Sequence, residues 1–185
     1  MSAFVGVDQA LTKIGLCVIA DGQIAKLHLI KTPTKLKGPE RLTFLRDSLL
    51  AELKPWKKKI SKAAIEAQSL GSLGDIDQLG QINGVVQVLL SDLGAPPLKV
   101  PPAVLKKFVS GNGQADKGRM RRATHKHWGI DISQDDLCDA HGLARLAEEV
   151  CLEQATLRYQ IEAAYTMTQK RKRKSRVKKL FKKTL

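Results

Sequence analysis

The stretch AFVGVDQALTKIGLCVIADGQIAKLHLI, residues 3–30, decides the fold. It opens on an apolar run over 3–8, rich in Val and Phe, that ends at Asp8. A turn-like stretch follows, and a second apolar run spans 14–20. Short apolar runs bounded by turn residues are the pattern of buried strands. Asp21-Gly22 is a hairpin signal, because both residues tolerate the backbone of a tight two-residue turn. It predicts a third strand over 23–30. The first two strands are also close enough to pair as a hairpin. The chain should therefore begin as a three-stranded meander.

Working outward, residues 31–39 hold two prolines and a glycine and are expected to form a loop. Residues 40–53 carry Leu42, Leu45, Leu49 and Leu50 at helical spacing. KAAIE, residues 62–66, is a short strand ending in Glu66, and Gly71 and Gly74 then break the chain. The 76–93 segment places Leu79, Ile82, Val86, Leu89 and Leu90 on one helical face. A brief strand over 98–100 precedes Pro101-Pro102, which suits the first turn of a helix over 103–109. SGNG, 110–113, is a loop, and helices are expected over 116–128 and from 134 to roughly residue 165. Three meandering strands followed by alternating helices and strands predict an α/β fold, a mixed five-stranded sheet with helices on both faces. Other mixed α/β folds share that element order. The 185 residues suit one domain, taken as 1–167, with 168–185 as a basic, flexible tail.

Two strands end on acids. Asp8 closes the first and Glu66 the fourth, and in open α/β sheets ligand sites lie at the carboxyl ends of strands. A third cluster opens the last long helix, as Asp135, Asp136 and Asp139. On a helical wheel Ala140, Leu143, Ala144, Ala147, Val150 and Cys151 define the buried face. Asp136 falls inside that stripe, Asp139 at its edge, and Asp135 further towards solvent. Helix capping accounts for part of this: acids favour the first helical turn, and Ser133 with Asp136 resembles a capping box. It does not account for Asp139 on the inner face. Four converging carboxylates, Asp8, Glu66, Asp136 and Asp139, would make a hard oxygen-ligand site for Mg²⁺. Two ions there would hydrolyse a phosphodiester without a histidine, cysteine or serine nucleophile.

The formal net charge is +14, and residues 170–183 hold ten Lys or Arg and no acid, leaving +4 for the remainder. Such a block is an electrostatic handle for a polyanion, and nucleic acid fits better than an anionic membrane because the tail lacks an aromatic-rich apolar face. Cys17, Cys138 and Cys151 are far apart and form no C-x-x-C pair, so they are expected to be small buried residues in a reducing compartment. No signal peptide or membrane-length apolar run is visible, which predicts an intracellular protein. His125 and His127 do not face one another on a helix, so a solvated basic face shared with Arg119, Arg121 and Arg122 is the expected reading. His141 lies near the acids in sequence and reads equally well as a plain helix residue or as one that positions phosphate or water.

At the acidic residues the sequence resembles the RuvC family of Holliday junction resolvases, of the RNase H-like superfamily, over roughly residues 3–150. GVDQAL with IGLCVI resembles the family's first-strand motif, and AIEAQ the strand bearing its glutamate. VPPAVLKKFVSGNGQADKGRM resembles the segment with two lysines about a glycine-containing turn, and DDLCDAHGLA the closing pair of aspartates on a small-residue helix. The resemblance implies an RNase H-like fold and a Mg²⁺-dependent, structure-selective endodeoxyribonuclease. It implies two Mg²⁺ ions, with Mn²⁺ as a substitute, held by Asp8, Glu66, Asp136 and Asp139. Lys106 and Lys117 would contact phosphate, with Arg119, Arg121, Arg122 and the tail residues Lys170, Arg171, Lys172, Arg173 and Lys174 also on DNA. The implied partners are four-way and other branched DNA and a second copy of the chain in a homodimer, with no membrane. Two departures stand out. Gln9 and Ala10 follow the first aspartate where the family has Pro-Gly, and AQSLGSLGD, with Ser69, carries no aromatic wedge. A phage-type member would fit them. An RNase H or general nuclease, and a non-catalytic nucleic-acid-binding protein, are the competing readings.

Overall fold

The structure, a computed structural model, describes residues 2–67 and 76–181, with side chains described for 2–67 and 77–169. Gly71, Gly74 and Ser69 lie outside the described residues. Strands β1 (Ala3–Gln9), β2 (Lys13–Ala20) and β3 (Gln23–Lys31) form the expected antiparallel meander. Gly22 adopts a φ of 74° at the β2–β3 turn, the left-handed backbone that Asp-Gly supplies. Strands β4 (Ile60–Glu66) and β5 (Leu98–Val100) add in parallel on the other side of β1, giving the order β3-β2-β1-β4-β5.

Helices cover both faces. Because successive strand residues alternate in direction, each strand feeds two cores. Val5, Val7, Ile14, Leu16 and Ile65 face α1 (Gly38–Leu53) and α2 (Ile76–Asp92), meeting Leu45, Leu49, Ile82 and Leu90. Phe4, Cys17, Ile19 and Ala64 face the opposite layer, α3 (Pro102–Ser110), α4 (Lys117–Trp128), α5 (Asp135–Leu152) and α6 (Arg158–Phe181). Asp8 and Glu66 share the parity of Phe4 and Ala64, so they belong to this second face.

Two glycines seat α5 on the sheet. A Cβ on Gly6 would come closer than 3.0 Å to backbone atoms of Ala140 and Ala144, and one on Gly15 closer than 3.0 Å to the backbone of Asp136. The bare backbone lets the helix lie directly across β1 and β2. That contact fixes where the acids at the α5 N-terminus stand relative to Asp8.

The structure corrects several expectations. The helix expected from 134 to roughly 165 is two helices. Glu153 adopts a φ of 52° at the end of α5, and the Glu149 carboxylate accepts from the backbone N–H groups of Gln154 and Ala155 at 3.0 and 2.7 Å. α6 then begins at Arg158 and its backbone continues helically across the 167/168 boundary to Phe181. Cys151 is exposed, because it falls in the last turn of α5 beyond the sheet, whereas Cys17 and Cys138 are buried as expected. His127 does not sit on a solvated face: its Nε2 lies 2.8 Å from the Tyr159 hydroxyl and its ring meets Trp128 edge-on.

Candidate active site

Strands β1 and β4 run parallel with Val7 opposite Ile65, so the next residues, Asp8 and Glu66, emerge side by side at the same sheet edge. Gln9, on the opposite face, donates to the Glu66 main-chain oxygen at 2.8 Å and ties the two strand ends together. Asp8 is buried, and its carboxyl is raised well above the ordinary range, by burial first and then by the charges of Glu66, Asp139 and Asp136. The two carboxyls stand close enough for each to act on the other's ionisation. Glu66 is itself raised from 4.5 to about 7, by burial and then by Asp139, with Asp8 and Lys106 acting in the opposite sense. Asp139 rises from 3.8 to about 6 through burial and its acidic neighbours. Such crowding is unfavourable for the bare protein and marks a site built to hold positive charge.

Asp8, Glu66 and Asp139 therefore gather in one crowded, poorly solvated centre, and Asp136 stands at its edge. The Ser133–Asp136 capping box does not form: the N-cap is Gln134, with no side-chain cap bond, and Asp136 turns instead to Lys13, with Nζ 2.5 Å from Oδ2. Asp135 pairs with Lys117 at 2.9 Å. Among the described residues no three acids, histidines or cysteines stand as a ready coordination cage. The donor set nevertheless fits divalent ions. It is all oxygen, crowded and short of positive charge, and one member is held aside only by a lysine ammonium, itself a cation.

The expected lysines flank this centre. Lys106, half-buried on α3, is close enough to lower Glu66 and Asp139, while its neighbour Lys107 turns away to Glu162 of α6 at 2.8 Å. Lys117 stands at the first turn of α4, whose N-cap is Asp116. Arg119, Arg121 and Arg122 are exposed on α4. Arg121 donates to the Ser133 carbonyl at 2.9 Å and lies 3.7 Å from Asp135, so it braces the start of α5. Backbone positions 170–174 are helical, and the side chains of Lys170, Arg171, Lys172, Arg173 and Lys174 lie outside the described residues. His141 is remote from any such role. It is fully buried, accepts from Arg145 Nε at 3.2 Å, packs edge-on against Trp128, and is pushed down to about 3 by burial and then by Arg145.

Lys13 is the residue the sequence analysis missed. It opens the buried strand β2, and the signal that could have found it is parity: Lys13, Gly15 and Cys17 share a face, and Asp8 lies opposite Gly15.

A mixed sheet of this order with acids at the adjoining ends of β1 and β4, and more on a helix laid over them, defines an RNase H-like domain with a carboxylate centre. No protein-family model matches the chain. Individual relatives do. The crossover junction endodeoxyribonuclease RuvC of Synechococcus sp. (strain WH7803) is 26% identical over 145 residues, covering 75% of this chain and 93% of the relative. That of Chloroflexus aggregans is 29% identical over 146 residues, covering 75% and 88%. Among solved structures, Thermus thermophilus RuvC superimposes with a TM-score of 0.66 at 22% identity, covering 77% of this chain and 90% of that one. The same protein in complex with a Holliday junction substrate gives 0.68, also at 22% identity. Over about three quarters of its length the chain is thus similar to crossover junction endodeoxyribonucleases of the RuvC type, in sequence and in fold.

Proposed function

We propose that this protein is a divalent-metal-dependent endodeoxyribonuclease that resolves four-way DNA junctions, and other branched DNA, as a homodimer. The observation that carries the reading is the pairing of Asp8 with Glu66 on parallel strand ends beneath the acids of α5. The relatives named above are crossover junction endodeoxyribonucleases, and the similar Thermus thermophilus protein binds a Holliday junction.

Asp8, Glu66, Asp136 and Asp139 would hold the metal, with Mg²⁺ the natural ion for an all-carboxylate set and Mn²⁺ a substitute. When bound, a pair of such ions activates a water and stabilises the leaving oxygen of the phosphodiester. The chain's own side chains do the rest. The crowded carboxylates create the local negative charge that recruits the ions. Lys106 and Lys117, both near that charge, orient the scissile phosphate. Arg119, Arg121 and Arg122 follow the backbone beyond it along α4, and Lys170, Arg171, Lys172, Arg173 and Lys174 hold a more distant stretch. These are sequence-independent phosphate contacts that position the substrate. Among the described residues no helix is long and apolar enough to cross a membrane. The expected place of action is with DNA in the cytoplasm of a prokaryotic or phage-infected cell.

The test is cleavage of labelled four-way junction, three-way fork, linear duplex and RNA–DNA hybrid, with and without Mg²⁺. Paired symmetric nicks in the junction that require the ion are the expected result. Hybrid-only cutting would make the protein an RNase H, and binding without cutting would leave a non-catalytic DNA-binding protein.

A further inference from the structure

We propose that Lys13 is a built-in competitor for the divalent ion: it neutralises Asp136 in the ion-free protein and must be displaced when the centre loads. The proposal rests on the metal-centre reading above.

The placement follows from the sequence upward. Lys13 opens β2, two residues before Gly15, and period-two alternation puts both on the face that α5 covers. Gly15 has no side chain, so the backbone of Asp136 settles directly over β2. The neighbouring position on that face is Lys13, and its ammonium reaches Asp136 Oδ2 at 2.5 Å. The Asp136 side chain is 16% exposed and that of Lys13 is 40% exposed, so the pair spans the boundary between the crowded acids and solvent.

The other basic groups cannot fill this role. Lys117 pairs with Asp135, which lies outside the four-acid set, and its side chain is 76% exposed. Lys106 acts on Glu66 and Asp139 and makes no ion pair with either among the described residues. Among the described residues, Lys13 alone forms an ion pair with a carboxylate that the divalent ion would use. An ammonium and a divalent cation cannot both take the same Oδ2 lone pairs at contact distance, so loading must break the pair or share Asp136 at reduced strength. The freed ammonium remains tethered to β2 at the solvent edge of the centre, next to incoming phosphate. Ion binding and phosphate binding would then favour one another, since each relieves what the other leaves unpaired.

The experiment titrates Mg²⁺ into the DNA-free full chain and reads the rise in melting temperature and, separately, the binding heat. Lys13→Met keeps the stem and removes the charge, and Lys13→Arg keeps the charge. In Lys13→Met the half-saturating Mg²⁺ concentration should fall roughly fivefold, the equivalent of the ~1 kcal/mol at the upper end for an exposed ion pair. Lys13→Arg should stay near the parent protein. Circular dichroism without Mg²⁺ checks that both variants are folded. An unchanged or higher half-saturation in folded Lys13→Met overturns the role of Lys13 and leaves the metal centre standing. Absence of any Mg²⁺ response in the parent protein overturns the metal centre, and this proposal with it.

Discussion

Asp8 and Glu66 stand side by side at a strand edge where neither is well solvated, so their function and their stability pull in opposite directions. An acid whose folded-state pKa lies above its unfolded value binds its proton more tightly in the folded protein. Its ionisation therefore costs folding free energy as pH rises. Glu66 moves from 4.5 to about 7 and Asp139 from 3.8 to about 6, both chiefly through burial. In EDTA, Glu66→Gln should melt close to the parent protein near pH 4, where both carry a neutral side chain. Through pH 4.5–7 the variant should gain steadily, reaching a melting temperature several degrees higher at pH 8. Scanning calorimetry across that range checks it, and a gap that is constant with pH would show that Glu66 is not strained. The same acids matter differently to DNA. Asp8→Asn should abolish cleavage while changing junction affinity by no more than a few-fold in a gel-shift titration, if phosphate is held by lysines and arginines as proposed. A parallel loss of binding would break that division of labour.

The glycine seats under α5 set the geometry of the site at the level of whole elements. Gly6→Ala would drive a methyl into the backbone of Ala140 and Ala144, and no side-chain rotation relieves a backbone clash. Overpacking of this kind costs about 1–3 kcal/mol, and a rigid helix backbone puts Gly6→Ala at the upper end or beyond. Urea denaturation measures it. Gly15→Ala should cost less stability overall because it lies under the first turn of α5. It should still reduce turnover by lifting Asp136 away from Asp8, with junction affinity largely kept. The elements themselves were legible from residues 3–30 and from the leucine spacing of α1 and α2, because burial on one or both faces writes a period into the chain. Asp8 and Glu66 were legible for the same reason: each ends an apolar run. The partner of Asp136 was not. Lys13 acquires its role only when α5 crosses β2 at Gly15, and a one-dimensional hydrophobic pattern holds no record of that crossing. The break after α5 was equally silent, because Glu153 takes a left-handed backbone without a glycine and the cap is supplied by Glu149. The exposure of Cys151 follows from that same early stop.

The charge of the whole molecule is segregated. Residues 168–185 carry ten of the cationic side chains and no acid, and without them the net charge falls from +14 to +4. The helix that bears this block is anchored before it begins. Glu162 of α6 pairs with Lys107 of α3, Tyr159 packs on Gly111 and bonds His127, and Ala163, Ala164 and Met167 are buried in the core. Truncation after Met167 should therefore leave the domain folded, with a melting temperature close to that of the full chain. Its effect should appear in DNA binding alone. Each phosphate contact adds about 0.9 to the slope of log affinity against log salt, because a condensed counterion is released. If only a third of the ten cations reach phosphate, the truncated protein should lose roughly 3 units of slope, and its affinity should fall furthest below that of the full chain at low salt. Fluorescence anisotropy on a four-way junction across a salt series measures this directly. A slope unchanged by truncation would show that the helical extension lies off the DNA and that the α4 arginines and the two site lysines carry the electrostatic binding. Retained junction cleavage with the reduced slope would place the extension outside the catalytic step, as an arm that raises residence on DNA of any branch geometry.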